Sequence, residues 1–272
     1  MKTIKLNVFA ILLGLLMVSS GVKAQDEKSY VITATKLHWN MALTNFSMED
    51  WKAVEKEYFD KVVSKNPYIL GQDVLMHFFT NDNTEIILVH AFDSWGSIEL
   101  SAAKDLELEK AAWPNEKDRT AFMDKRKQYY ANSHSDEIYS TMAYAKMPKA
   151  NFDKDILYYV RISHFAYPKD GTDKEFSDLR KQYFDAVTNK NEFIKAYYPH
   201  RHAWGADSTQ FTEVFAVESL ADLDKALTKN TDLFKAAWPD EKKRTEQSNK
   251  MKKYLTGVHE DYIYSSVHEL SK

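Results

Sequence analysis

Cysteine is absent from all 272 residues, which excludes disulfides, thiolate metal sites and a cysteine nucleophile. Glycine is scarce, at seven residues. No G-x-G-x-x-G fingerprint, Walker-type loop or G-x-S-x-G elbow occurs, so no nucleotide cofactor is expected. A basic excess is lacking too. The net charge of −3 argues against nucleic acid or an anionic membrane as partner, because both demand a basic face. Only one long apolar run exists, at the very start.

That run has the order of an export signal. Lys2 and Lys5 precede apolar residues from Leu6 to about Val18, and Gly21-Val22-Lys23-Ala24 follows. It is too short to span a bilayer comfortably and ends where a signal peptidase reads small side chains. The expectation is a signal at residues 1–24, a mature chain from Gln25, and a periplasmic or secreted product with no membrane contact after cleavage.

What is present is a repeat. Displaced by 125 residues, Lys110-Ala-Ala-Trp-Pro114 falls on Lys235-Ala-Ala-Trp-Pro239, and Glu116-Lys-Asp-Arg-Thr120 on Glu241-Lys-Lys-Arg-Thr245. Likewise Tyr58-Phe-Asp60 meets Tyr183-Phe-Asp185, and Ile138-Tyr-Ser140 meets Ile263-Tyr-Ser265. The register holds without a gap from Trp51 to Ala143. Two copies are too few for a solenoid, so the chain divides into repeats at 25–150 and 151–272.

A pattern present twice is more trustworthy than one seen once. Tyr30 to Trp39 and Leu157 to Phe165 alternate as strands. Ser47-x-x-Asp50 and Thr172-x-x-Glu175 are matched capping boxes. The helices after them carry Trp51, Val54, Tyr58 and Val62, or Phe176, Leu179, Tyr183 and Val187, on one face. Strands follow near 74–80 and 85–92, matched at 199–204 and 210–217. Ser94 and Ser219 can cap second helices, with stripes of Trp95, Ile98 and Ala102, or Leu220, Leu223 and Leu227. Pro114 and Pro239 suit the first position of a charged third helix, and last strands begin near Ile138 and Ile263.

The fold class is therefore α+β: two tandem ferredoxin-like βαββααβ repeats, each with one bare sheet face. Burying those faces against each other gives a pseudo-dimeric α/β barrel with helices outside. This order, the aromatic-rich strands and the duplication resemble the dimeric α/β-barrel superfamily of antibiotic-biosynthesis monooxygenase, EthD-like and NIPSNAP proteins. The resemblance implies a pocket between helices and sheet or inside the barrel. It leaves cofactor-free oxygenases, haem proteins and proteins without known activity all open.

Histidine supplies the candidate chemistry. His77 matches His202, His134 matches His259, and His38 matches His164 after a one-residue slip. On the second strand of repeat two, His200, His202 and Trp204 share a face; on the third, Phe211, Glu213, Phe215 and Val217 share one. A hairpin pairing Trp204 with Phe211 sets His202 opposite Glu213, with Val214 and Ala216 under the helices. His200, His202 and Glu213 then have the composition of a catalytic acid/base or divalent-metal site. His38, His77, His164, Trp204 and Phe215 are the candidate ligand contacts. Repeat one has Leu75 for His200 and Leu88 for Glu213, with His90 expected opposite Leu75, so a single site belongs in repeat two.

The remaining matches read as scaffold. Trp113 and Trp238 suit a helix junction, Arg119 and Arg244 salt bridges on the charged helix, and His134 and His259 helix-end carbonyls. Three functions stay open on this reading. The first is a cofactor-independent or metal-assisted oxygenase, lyase or isomerase for a small molecule. The second is a non-enzymatic ligand- or haem-binding protein, and the third a structural protein. Further oligomerisation is not fixed by the sequence.

Overall fold

Alternation of apolar and polar side chains carries the chain into its first strand, β1 (Val31–His38). The computed structural model describes residues 29–272; the expected signal and its cleavage site lie outside the described residues. After β1 come α1 (Met48–Lys61), β2 (Gly71–Phe79), β3 (Glu85–Phe92), α2 (Trp95–Ala112), α3 (Glu116–Lys127) and β4 (Ser135–Thr141). The order then repeats as β5 (Leu157–Phe165), α4 (Asp173–Ala186), β6 (Ala196–Trp204), β7 (Gln210–Val217), α5 (Leu220–Ala237), α6 (Glu241–Lys252) and β8 (Leu255–Ser266).

The helix starts follow their caps. Ser47 and Thr172 accept hydrogen bonds from the amides of Asp50 and Glu175, and Ser94 and Ser219 from those of Ser97 and Asp222. Each satisfies an amide that the first helical turn cannot. The third helices are capped by Asn115 and Asp240, which puts Pro114 and Pro239 one residue before the cap rather than at the first helical position. The α2 stripe also differs from expectation. Trp95 is 47% exposed, while Ser97 and Ser101 are buried, and Asn66 Nδ2 donates to the Ser101 carbonyl and hydroxyl.

Eight antiparallel strands close into one barrel in the order β1-β3-β2-β8-β5-β7-β6-β4. Closure comes from pairing between repeats, β2 with β8 and β4 with β6, which leaves no sheet edge unpaired. Leu75, Ile87, Val160, Ala196 and Ala216 fill the interior, and the helices cover the outside. The repeats also exchange tails. Val267 and Leu270, after β8, pack on Trp51 and Val54 of α1. Tyr144, after β4, packs on Phe184 of α4 and Ile194. No helix among the described residues is long and apolar enough to cross a membrane.

Candidate functional site

The β6–β7 ladder sets His200 opposite Thr212 and Pro199 opposite Glu213, not Trp204 opposite Phe211. The last residues of β6 leave β7 and pair with β4, Trp204 with Ile138 and His202 with Tyr139. The connection is therefore longer than a local hairpin rule gives. An odd-numbered register shift moves every side chain to the other face. Ala216 and Val214 consequently lie in the barrel interior, and Glu213 faces the helices, bonded to Arg180 of α4. The expected grouping of His200 and His202 with Glu213 is thus split by the sheet. No group of three His, Asp or Glu side chains that could hold a metal ion occurs among the described residues.

His200 and His202 line the interior. His200 is buried, and burial lowers its pKa to about 4. His202 Nε2 lies 3.2 Å from Glu137 Oε2. His38 sits 3.2 Å from both Thr84 Oγ1 and Asp82 Oδ2. His164 meets the matching turn, 2.9 Å from Thr209 Oγ1 and 3.1 Å from Asp207 Oδ2, with Glu260 at 3.1 Å on its other nitrogen. These equivalent partners bear out the one-residue slip. His77 bonds Thr80 at 2.7 Å, and Trp204 is 68% exposed.

Other expected contacts also differ. His90 bonds Gln72, its ladder partner, while Leu75 pairs with Ile87. His134 and His259 approach Asp136 and Asp261 instead of helix ends. Arg119 and Arg244 donate to the carbonyls of Trp113 and Trp238, closing the preceding helices instead of forming acid–base pairs.

The space that remains open lies on the other side of the sheet. A cavity of about 450 Å³ separates β5 and β7 from α4, α5 and α6, within the range of ligand sites. Its walls are mainly apolar, with Ile194, Phe215, Leu223, Phe234 and Met251, and its exposed lining residues are Leu227, Thr231 and Lys252, with Arg161 half-exposed. Phe215, an expected ligand contact, is held between Tyr159 at 5.5 Å and Tyr197 at 4.8 Å.

Arg180 and Glu213 line the same cavity, both buried. Arg180 donates to Glu213 Oε1 and to Tyr197 Oη, and the Tyr197 hydroxyl donates to Glu213 Oε1 at 2.7 Å. Burial alone would lower the Arg180 pKa, but Glu213 together with Tyr197 and Tyr144 more than offsets it, so the guanidinium stays charged. Burial, reinforced by Glu213, raises Tyr197 well above the usual phenol value and keeps it a neutral donor. Among the described residues Arg180 Nε and the Tyr144 hydroxyl are both buried without a well-formed hydrogen bond, and the Arg180 charge acts on Tyr144.

The matching place in repeat one is packed: Tyr58, Ile69, Phe92, Ile98 and Met123 form one cluster with Trp113, and a cavity of only about 30 Å³ touches Glu55, Tyr58, Leu88 and Arg126. There Arg126, from α3, lies 3.8 Å above the Tyr58 ring and bonds both oxygens of Glu55 at 2.9 Å. Tyr130 donates to Glu55 and accepts from Trp51 Nε1. At the matching positions repeat two has Met251 for Arg126, Ser248 for Met123, Leu255 for Tyr130 and Phe176 for Trp51. Of these, Met251 and Ser248 line the open cavity, whereas Leu255 and Phe176 belong to the core around Phe165 and Phe211, and the buried ion pair is rebuilt from Arg180 and Glu213. Sequence reasoning missed Arg180, Tyr183 and Tyr197. The signal was there in the paired exchanges Glu55 to Arg180 and Leu88 to Glu213.

The lining does not fit a histidine-ligated haem, since it contains no histidine or cysteine. A tyrosinate ligand is opposed as well: burial raises the pKa of both Tyr159 and Tyr183, and Tyr159 donates to Asp261.

No family model matches the chain, and no curated protein matches it in sequence. Solved structures do. A candidate monooxygenase from Fusobacterium nucleatum subsp. nucleatum has TM-score 0.55 and 12% identity, over 88% of this chain and 92% of that one. A second, from Lactobacillus acidophilus, has TM-score 0.51 and 10% identity over 88% and 93%. A chlorite dismutase variant from Candidatus Nitrospira defluvii has TM-score 0.50 and 12% identity over 90% and 94%. At such identities the likeness is one of fold: an eight-stranded antiparallel barrel with helices outside, built here from two βαββααβ repeats on a single chain.

Proposed function

We propose that this chain is an exported barrel protein that binds a small, largely apolar molecule in the helix–sheet cavity of its second repeat. One observation carries the reading: the cavity is open in repeat two, while at the matching place in repeat one Tyr58, Ile69, Phe92, Ile98 and Met123 pack together and Arg126 lies over the Tyr58 ring. A buried ion pair at the floor gives the apolar space an oriented polar end, the usual composition of a ligand site. Export rests on the residue pattern at 1–24, and a periplasmic or secreted location follows from it.

Turnover of the oxygenase, lyase or isomerase kind would use Glu213. The two hydrogen bonds that hold it both fall on Oε1, so the carboxylate is oriented while its second oxygen can take a proton from a bound molecule. Arg180 would then offset the negative charge developing there. His200 and His202 have no part in this reading, because they lie across the sheet.

The test is ligand-induced stabilisation of the whole mature protein against a panel of small aromatic and aliphatic compounds. A true ligand at about 100 times its Kd raises stability by about 2.7 kcal/mol. Met251→Arg restores the side chain that fills repeat one and should abolish the effect. Leu223→Trp should do the same by a different route. Stabilisation that survives both fillings refutes the cavity as the site. For any ligand that is turned over, Glu213→Gln should keep binding and lose turnover; a fully active Glu213→Gln refutes the base.

A further inference from the structure

We infer that the occupant of this cavity is an amphipathic anion, with an apolar body among the helices and a carboxylate, sulfonate or similar group at the mouth beside Arg161 and Lys252. The inference rests on the cavity reading above and adds the sign of the ligand's charge.

The two repeats provide the comparison. Where repeat one has acids at Glu55, Asp105 and Glu109, repeat two has Arg180, Asn230 and Phe234, all lining the cavity. Thr35 of β1 gives way to Arg161 of β5, and Lys127 is kept as Lys252. Against these gains stand one new acid, Glu213, and the loss of Arg126 to Met251. The matched positions thus carry three acids and two bases in the closed repeat, and three bases and one acid in the open one. Acids have been cleared from the wall where space was made.

The position of the anion follows from desolvation. Deep in the cavity, Arg180 is already neutralised by Glu213, and a second buried carboxylate there would lack a counter-charge. At the mouth, Arg161 is half-exposed and Lys252 exposed, so a charged group keeps part of its hydration. Arg161 gives Nε and one Nη to Asp261, at 2.8 and 3.3 Å. Its guanidinium has five donors in all, so further ones remain for a second acceptor. The apolar body then meets Phe215, Leu223 and Phe234, which form the inner wall.

The experiment is fluorescence titration of the mature protein with two probes of like shape: anionic anilinonaphthalene sulfonate and neutral N-phenylnaphthylamine. The anion should bind several-fold more tightly at low salt, and its advantage should shrink between about 20 mM and about 500 mM salt as screening sets in. The double variant Arg161→Gln, Lys252→Gln should weaken the anion about three- to tenfold, as expected for partly exposed charges, and leave the neutral probe unchanged. Equal binding of the two probes, or an anion untouched by the double variant, overturns the inference while the cavity stands. Met251→Arg and Leu223→Trp should displace both probes. If both probes still bind to both filled variants, the cavity reading itself falls, and this inference with it.

Discussion

Replacing Glu213 by leucine, the residue that repeat one has at that place, should be among the most damaging single changes in the second repeat. Glu213 and Arg180 are 6% and 8% exposed, so neither charge has water to fall back on. Removing one partner strands the other, which costs about 3–5 kcal/mol for a buried pair. Glu213→Leu also takes away the acceptor of the Tyr197 hydroxyl, worth about 1 kcal/mol more. For a chain of this size each kcal/mol moves Tm by about 2–4 °C, so a fall of roughly 8–24 °C is expected. Arg180→Met should cost nearly as much, since it leaves the carboxylate with Tyr197 alone. The double variant removes both charges and should lose only about 1–2 kcal/mol, chiefly the orphaned hydroxyl. Urea unfolding of the four proteins closes the cycle, with an expected coupling of at least about 2 kcal/mol. Additive losses would show that the two charges do not depend on each other, and the account of the cavity floor would be wrong.

Acid should weaken the fold through His200, whose pKa burial lowers to about 4. In the unfolded chain it takes up its proton near 6.5. Between these values the unfolded state binds more protons, so stability falls as pH drops from about 6.5 to about 4, by about 3 kcal/mol in total. His200→Leu, the repeat-one residue, should flatten that slope in urea melts at several pH values; an unchanged slope would remove His200 as its source. A chain of residues 25–146 alone should be unstable or pair with itself, because Val267 and Leu270 are part of the core around Trp51. A stable monomer by sedimentation would contradict that dependence. Mass spectrometry of the exported protein should find Gln25 at its N-terminus, and an intact Met1 on a membrane-bound product would refute the signal.

The elements were legible in the sequence because each pattern occurs twice. Local chemistry decides caps and strands, and Ser47, Thr172, Ser94 and Ser219 all act where their side chains predict. The β6–β7 register was not legible, because it depends on a distant partner. Trp204 pairs with Ile138 of the other repeat, and nothing in the hairpin's own residues announces that. One misplaced register turned Glu213 from the helix face to the barrel interior and joined it to the wrong histidines. Arg180 was hidden for another reason. A lone arginine on an amphipathic helix reads as solvated, and only its bond to Glu213 makes burial tolerable. The exchange of Leu88 for Glu213 marked where the two repeats differ, and the proposed site lies at that difference, although the partners assigned to Glu213 were wrong.

The difference between the repeats is a difference in how one buried charge pair is built. In repeat one the base reaches in from α3, as Arg126, to Glu55 on α1, and its long side chain fills the space it crosses. In repeat two the base stands on α4, as Arg180, and its acid on β7, as Glu213. Both charges then lie at the floor, and the α6 position facing them is free to be Met251. The exchanges are interdependent. Glu55 to Arg180 without a new acid, or Arg126 to Met251 without a new base, would leave an uncompensated charge in the core, at a cost of about 3–5 kcal/mol. Loss of function needs no such coordination, because an unused space can simply be filled. An open cavity kept in balance by a relocated ion pair is therefore evidence that the space itself has a use, and it is the physical reason for placing the working site in the second repeat.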